Sequence, residues 1–299
     1  MFDPGSTPAV MAFAALSALC RAGLNLIDRH QIGLRRLPIR QLSLYNNAVP
    51  ALLLVAVFLA YGGGADLALR LLDWRCAAFG ALIQAVAYGF SHAFRSMTVG
   101  QVTVAAKTAD VFIPLGVFAT TGQWQGVDQA FALVTTLAFL PILLQEPAAG
   151  RAGPARAWVL VCGLLVVQAS AAPLLGPAGA APSGLAEALL FSTAVICWRT
   201  AWSVLPLLPG SARCAAPAPW RLLAQGLFWL RALLTVATQL GFILAVGSPR
   251  SAAAWPILNS AGLLAMVLAG WILREKAHPR QTAIVGAVAA LAVLRLAWG

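Results

Sequence analysis

The sequence predicts an all-α membrane protein: ten transmembrane helices arranged as two inverted five-helix repeats. Three observations point there. The 299 residues are 61% hydrophobic and only 10% charged, with a mean hydropathy of +0.83, whereas a soluble domain carries roughly 25% charged residues. The apolar residues form continuous runs near the ~20 residues that cross a bilayer core, without the alternation of a half-buried strand. Short motifs also recur between the two halves of the chain.

Candidate spans lie near residues 9–28, 41–61, 76–96, 101–121, 127–145, 158–175, 185–206, 222–247, 253–273 and 280–297. The opening "MFDPGSTPAV" has an acid but no basic residue, so it lacks the n-region of a cleaved signal peptide and the run after it is read as the first span. Glycine and proline punctuate the cuts: "YGGGAD" follows the second span, "QEPAAGRAGPAR" the fifth and "LPGSARCAAPAPW" the seventh. Pro50, Pro114, Pro206 and Pro256 lie within or near spans, where proline bends helices. Trp74, Trp158, Trp220 and Trp298 near span ends are suited to anchor the chain at the interface.

The repeat is readable in pairs. Gly89-Phe90 matches Gly241-Phe242, and the same offset carries Ser96 onto Ser248, Ala105–Asp110 onto Ile257–Gly262, and Gln129 onto Gln281. A slightly shorter offset carries Tyr45–Val49 onto Phe191–Val195. The halves are therefore 1–150 and 151–299, five helices each, parted by the Pro/Gly-rich stretch around Glu146–Ala155. Five is odd, so the halves cross the membrane in opposite senses. Inverted repeats of this kind mark secondary transporters.

Several motifs carry a resemblance. Ala22-Gly23-Leu24-Asn25 is similar to a "WG-x-N" in the first helix of the drug/metabolite transporter superfamily, with Ala in place of Trp. The stretch "ILREKAHPRQTAIVGAVAALAVLRL" resembles the end of that family's ninth helix and its tenth, with Glu275, Pro279, Gln281 and Gly286 in recognisable slots. Gln123 stands where the first half of the family has Glu, and Tyr45-Asn46 replaces an early arginine of the second helix. The chain thus resembles a divergent member with paired EamA-type domains. That resemblance implies a ten-helix transporter in the cell (inner) membrane, multi-pass, with its termini inside.

The formal charge of +11 is read as an orientation signal, not a nucleic-acid surface. Loops 1–2, 3–4, 5–6, 7–8 and 9–10 carry Arg29, Arg35, Arg36, Arg40, Arg151, Arg156, Arg213, Arg221, Arg274, Lys276 and Arg280, while the opposite side has Arg70 and Arg250. The positive-inside rule puts the first set in the cytoplasm and both termini outside, against the orientation that the resemblance implies. Cys20, Cys76, Cys162, Cys197 and Cys214 are scattered without a C-x-x-C pair and read as small buried hydrophobes. No metal or other cofactor is expected.

Charges near mid-membrane cost about 2.5–3.5 kcal/mol each on insertion scales. Facing lipid, Arg21, Lys107, Asp110, Arg199 and Arg231 would together cost roughly 10 kcal/mol or more, so they are expected to face one another or a watery cavity. Helical spacing agrees: Ser17, Arg21, Asn25 and Asp28 share one stripe, as do Ser192, Arg199 and Trp202, and Arg231, Thr235, Thr238 and Phe242. A further stripe holds Gln84, Tyr88, Ser91 and Arg95. Lys107 and Asp110 sit at i and i+3 and can pair on one helix face. Two readings stay open for them: a structural ion pair, or an anion ligand beside a proton-accepting carboxylate. Their repeat counterparts are Asn259 and Gly262.

Four cations beside one acid make the expected cavity net positive, as suits a substrate with carboxylates or phosphates that arginine grips bidentately. Candidate substrate-binding residues are Arg21, Asn25, Tyr45, Asn46, Tyr88, Lys107, Arg199, Trp202, Arg231 and Asn259; candidate proton-coupling residues are Asp110 and His92. The reading is a secondary active transporter, a proton-coupled exporter of a small anionic or zwitterionic metabolite. Amino-acid-derived compounds come first, carboxylate-rich metal chelators among them. The chain would work by alternating access as a monomer or homodimer, with protons as the coupling ion and the lipid bilayer around it. No G-x-x-x-x-G-K-[ST] is present, so the chain does not itself use ATP. The alternative within the superfamily is a sugar-phosphate or nucleotide-sugar exchanger. An intramembrane enzyme lacks its motifs here: there is no G-x-S-x-G, no H-E-x-x-H and no acid pair within one span.

Overall fold

The computed structural model describes residues 7–122, 152–175, 185–207, 224–246, 257–258 and 260–275, with single positions between 124 and 137 and residue 287. Among the described residues there is no strand. The helices are α1 (Thr7–Asp28), continued by a π-helical stretch (Arg29–Leu34), α2 (Ile39–Ala60), α3 (Gly64–Leu71), α4 (Trp74–Ser96), α5 (Val99–Thr121), α6 (Ala152–Leu175), α7 (Leu185–Val204), α8 (Gly226–Val246) and α9 (Ala261–Ile272). Five of the described stretches are long and apolar enough to cross a membrane: Pro8–Leu34, Ile39–Ala60, Trp74–Ser96, Ala186–Leu207 and Gly226–Val246. The spans expected at 127–145 and 280–297 lie almost wholly outside the described residues.

Local chemistry sets the helix ends. The Asp73 carboxylate accepts from the Arg75 amide at 2.9 Å and caps α4. Thr98 and Gln101 form a reciprocal capping box at the start of α5. Gly122 closes that helix at φ 71°, a left-handed conformation in which a side chain is strained. Two features depart from the sequence reading. The "YGGGAD" segment was expected as loop, yet its end starts α3, a two-turn amphipathic helix that buries Leu67 and sends Arg70 to Glu187 on α7 at 3.2 Å. The first span also runs past residue 28, because the π-helical stretch carries it to Leu34.

Polarity is inverted relative to a soluble protein. Large apolar side chains such as Leu52, Leu59, Leu233 and Trp271 are exposed, while Asn47, Gln84, Arg199 and Arg231 are buried. Helix α1 packs on α8 and α9; α6 packs on α4 and α5; α7 packs on α2 and α4; α2 meets α8, and α5 meets α9. Where α1 crosses α8 the backbones come close, since a Cβ on Gly241 would stand 2.9 Å from the Phe13 carbonyl oxygen. One apolar cluster joins α1, α4, α7 and α8 around Phe79, whose ring lies 6.1 Å from Phe191 and 6.4 Å from Phe242. A second joins α1, α4, α5, α6 and α9. A hollow lies among these same helices.

Candidate functional site

Helices α1, α4, α6, α7 and α8 surround a hollow of about 740 Å³, counting its open mouth. Charged and amide groups come from four of them: Arg21, Asn25 and Asp28 from α1, Gln168 from α6, Arg199 from α7, and Arg231 and Gln239 from α8. Ile83, Val86 and Phe90 of α4 form an apolar wall. A second hollow of about 680 Å³ extends along α5 and α9, lined by Val99, Val102, Ile113, Leu165 and Leu258. Arg21, Asn25, Phe90, Gln168 and Phe242 line both. The two are lobes of one space, one charged and one largely apolar.

The charged groups differ in their partners. Arg231 donates to Asp28 twice, Nε to Oδ1 at 2.7 Å and Nη2 to Oδ2 at 3.1 Å, and its Nη1 lies 3.5 Å from both the Asn46 carbonyl oxygen and Thr235 Oγ1. Such a bidentate pair lets two charges survive burial. Arg199 is only 8% exposed and its Nε has no hydrogen-bond partner. Among the described residues Arg21 has no carboxylate partner; its guanidinium carbon sits 5.8 Å over the Phe90 ring. Gln239 Nε2 is buried without a partner as well. Buried donors without acceptors are unfavourable by about 1–3 kcal/mol each, and both side chains belong to residues that line the charged lobe.

Two further polar sets hold the walls. Asn47 Nδ2 donates to Gln84 Oε1 and Ser203 Oγ, each at 2.8 Å, and Gln84 Nε2 donates to Ser43 Oγ at 2.7 Å. This network ties α2, α4 and α7 together. At the rim of the apolar lobe, Arg29 Nε donates to Glu275 Oε1 at 2.6 Å and its Nη1 to the Phe94 carbonyl at 2.8 Å, while Glu275 Oε2 accepts from the Val99 amide at 3.1 Å. One ion pair thus latches the end of α1 to α4, α5 and the segment after α9.

Of the residues singled out from sequence, Arg21, Asn25, Arg199 and Arg231 meet in the charged lobe. Asn46 is buried beside it, reaching Arg231 through its backbone oxygen. Tyr45 sits half-buried on α2 outside the lining. Tyr88 and His92 stack edge-on at 4.9 Å, also outside it. Trp202 is also outside the lining and donates Nε1 to the Ala77 carbonyl at 3.0 Å. Lys107 and Asp110 lie on α5, but their side chains, like Asn259, are outside the described residues.

No family model and no curated protein matches the chain. A solved structure does. The chain is similar to one described as "Crystal structure of protein", with a TM-score of 0.64 over 96% of this chain and 98% of that one. The identity is 14%, so the likeness is one of fold.

Two polar lining residues, Gln168 and Gln239, escaped the sequence reading, and Asp28 was named only as part of the Arg21 stripe. Asp28 was placed on the Arg21 stripe but at the end of its span; the apolar "IGL" beyond it was the sign that the helix runs on. Gln168 is an isolated amide inside an otherwise apolar span, a signal as legible as that of Arg199. Gln239 follows Thr238 on α8 and was masked by the threonine stripe.

Proposed function

We propose that this chain is a secondary active transporter of the drug/metabolite type, moving a small anionic or zwitterionic metabolite out of the cell by alternating access. One observation carries the reading: three arginines from three different helices, with a single carboxylate among the described lining, turn inward to one cavity while leucines and tryptophans turn outward. Buried unpaired cations are unfavourable unless they meet an anion. A transporter supplies that anion intermittently.

The helix pairs support two inverted repeats. Exchanging the halves sends α1–α8 to α6–α4, α1–α9 to α6–α5 and α4–α7 to α8–α2, and returns α2–α7 and α5–α9 to themselves; every one of these pairs is a contact. Proton coupling is part of the proposal, with export as the direction and amino-acid-derived acids as the first substrates.

The test is transport by purified protein in liposomes, joined to metabolite profiling of a deletion strain, cells against medium. Accumulation of an organic acid inside the deleted cells, with pH-gradient-driven flux in liposomes, supports the reading. No change in any small molecule and no flux would overturn it.

A further inference from the structure

The cavity has two chemically different lobes, and among the described residues its unpaired buried donors belong to the charged one. Within the charged lobe Arg231 is already neutralised by Asp28 through two hydrogen bonds. Arg21 and Arg199 are not: Arg199 Nε and Gln239 Nε2 are buried without acceptors, and among the described residues Arg21 has no carboxylate partner, its guanidinium lying over the Phe90 ring. The described lining therefore carries two surplus positive charges. The other lobe holds no further charge among its described residues, and Val99, Val102, Ile113 and Leu258 make it apolar. Arg21 stands at the junction, lining both.

We propose that the two lobes form a single site for an organic anion with a doubly charged acidic head and an apolar body. The head lies between Arg21 and Arg199; the body lies along α5 beside Ile113. The two surplus cations of the described lining match two negative charges, since against them a monoanion leaves one guanidinium uncompensated. A bare dianion leaves the apolar lobe to water and forgoes the burial that an apolar group gains there. A dicarboxylate and a phosphate monoester share this chemistry, because arginine binds either through parallel N–H donors. The proposal rests on the transport reading of the same cavity, but its test is binding alone. Binding without flux would sink transport and leave the site standing.

The experiment measures binding to the purified full-length protein in detergent at about pH 8, where a phosphate monoester is doubly charged. Four probes are compared: benzylmalonate, phenyl phosphate, 3-phenylpropionate and malonate. Benzylmalonate or phenyl phosphate is expected to bind about tenfold or more tightly than 3-phenylpropionate, which has the ring and one charge, as a lost charge-assisted contact requires. Benzylmalonate is likewise expected to exceed malonate, which has the head and no ring. Whichever doubly charged probe binds more tightly names the head as dicarboxylate or phosphoryl, and either order supports the proposal.

Arg21→Gln and Arg199→Gln should each erase the preference for two charges over one. Ile113→Trp should erase the preference for the ring and keep the preference for charge. Should Arg199→Gln fail to fold, Arg199→Lys is expected to fold and show an intermediate ratio. Equal binding of 3-phenylpropionate and benzylmalonate, equal binding of malonate and benzylmalonate, no binding of any probe, or unchanged ratios in the arginine variants would each overturn the proposal.

Discussion

Asp28 and Arg231, 203 residues apart in sequence, meet through two hydrogen bonds of 2.7 and 3.1 Å with both side chains largely buried. The pair joins α1 to α8 at the wall of the charged lobe, and its energetics are asymmetric. Removing one partner strands a buried charge and costs about 3–5 kcal/mol, whereas replacing both with apolar groups is close to neutral. Asp28→Leu and Arg231→Leu should each lower the melting temperature of the purified protein, and the double variant should recover most of the loss. Additive losses in that cycle would show that the two charges do not interact.

The Arg29–Glu275 latch closes the rim of the apolar lobe, because Glu275 also accepts from the first amide of α5. Glu275→Ala frees both groups at once. With the five native cysteines replaced, a cysteine at Val102, which is buried in that lobe, should react several-fold faster with a water-soluble thiol reagent when Glu275 is Ala. Unchanged labelling would mean that the latch does not control access.

At Gly241 the backbones of α1 and α8 come close. A Cβ there meets the Phe13 carbonyl at 2.9 Å and the Ser17 side chain at 3.2 Å. The main chain cannot yield as a side chain does, so Gly241→Ala should destabilise by about 1–3 kcal/mol, read as earlier thermal unfolding in detergent. A variant as stable as the parent would show that the two helices can separate without loss.

Asp110 on α5 is, with His92, a candidate for proton coupling. Asp110→Asn is expected to abolish the pH dependence of transport while leaving the amount of protein in the membrane unchanged. If pH-dependent flux survives, Lys107 and Asp110 return to a structural role, and His92 is the candidate left for coupling.

The helices and their polarity were legible because a membrane imposes a simple constraint: backbone groups must bond within each segment, so a spanning stretch is a long apolar helix. The i, i+4 spacing of Arg21 and Asn25, and of Arg231 and Thr235, was enough to place each set on one face of its own helix. That spacing says nothing about which face meets which. Trp202 lies three residues after Arg199, on a neighbouring part of the same helix surface, yet its indole is drawn to the Ala77 carbonyl of α4. The sequence reading counted Arg231 among the free cations and named Asp110 as the one acid well inside a span. Long-range packing gives Arg231 to Asp28, because the π-helical extension keeps Asp28 inside the helix and α8 crosses α1 closely at Gly241. Composition and period thus determined that charged side chains face an interior. Which of them cancel, and which stay open to a ligand, depends on contacts between residues some 200 positions apart, and no local pattern encodes those.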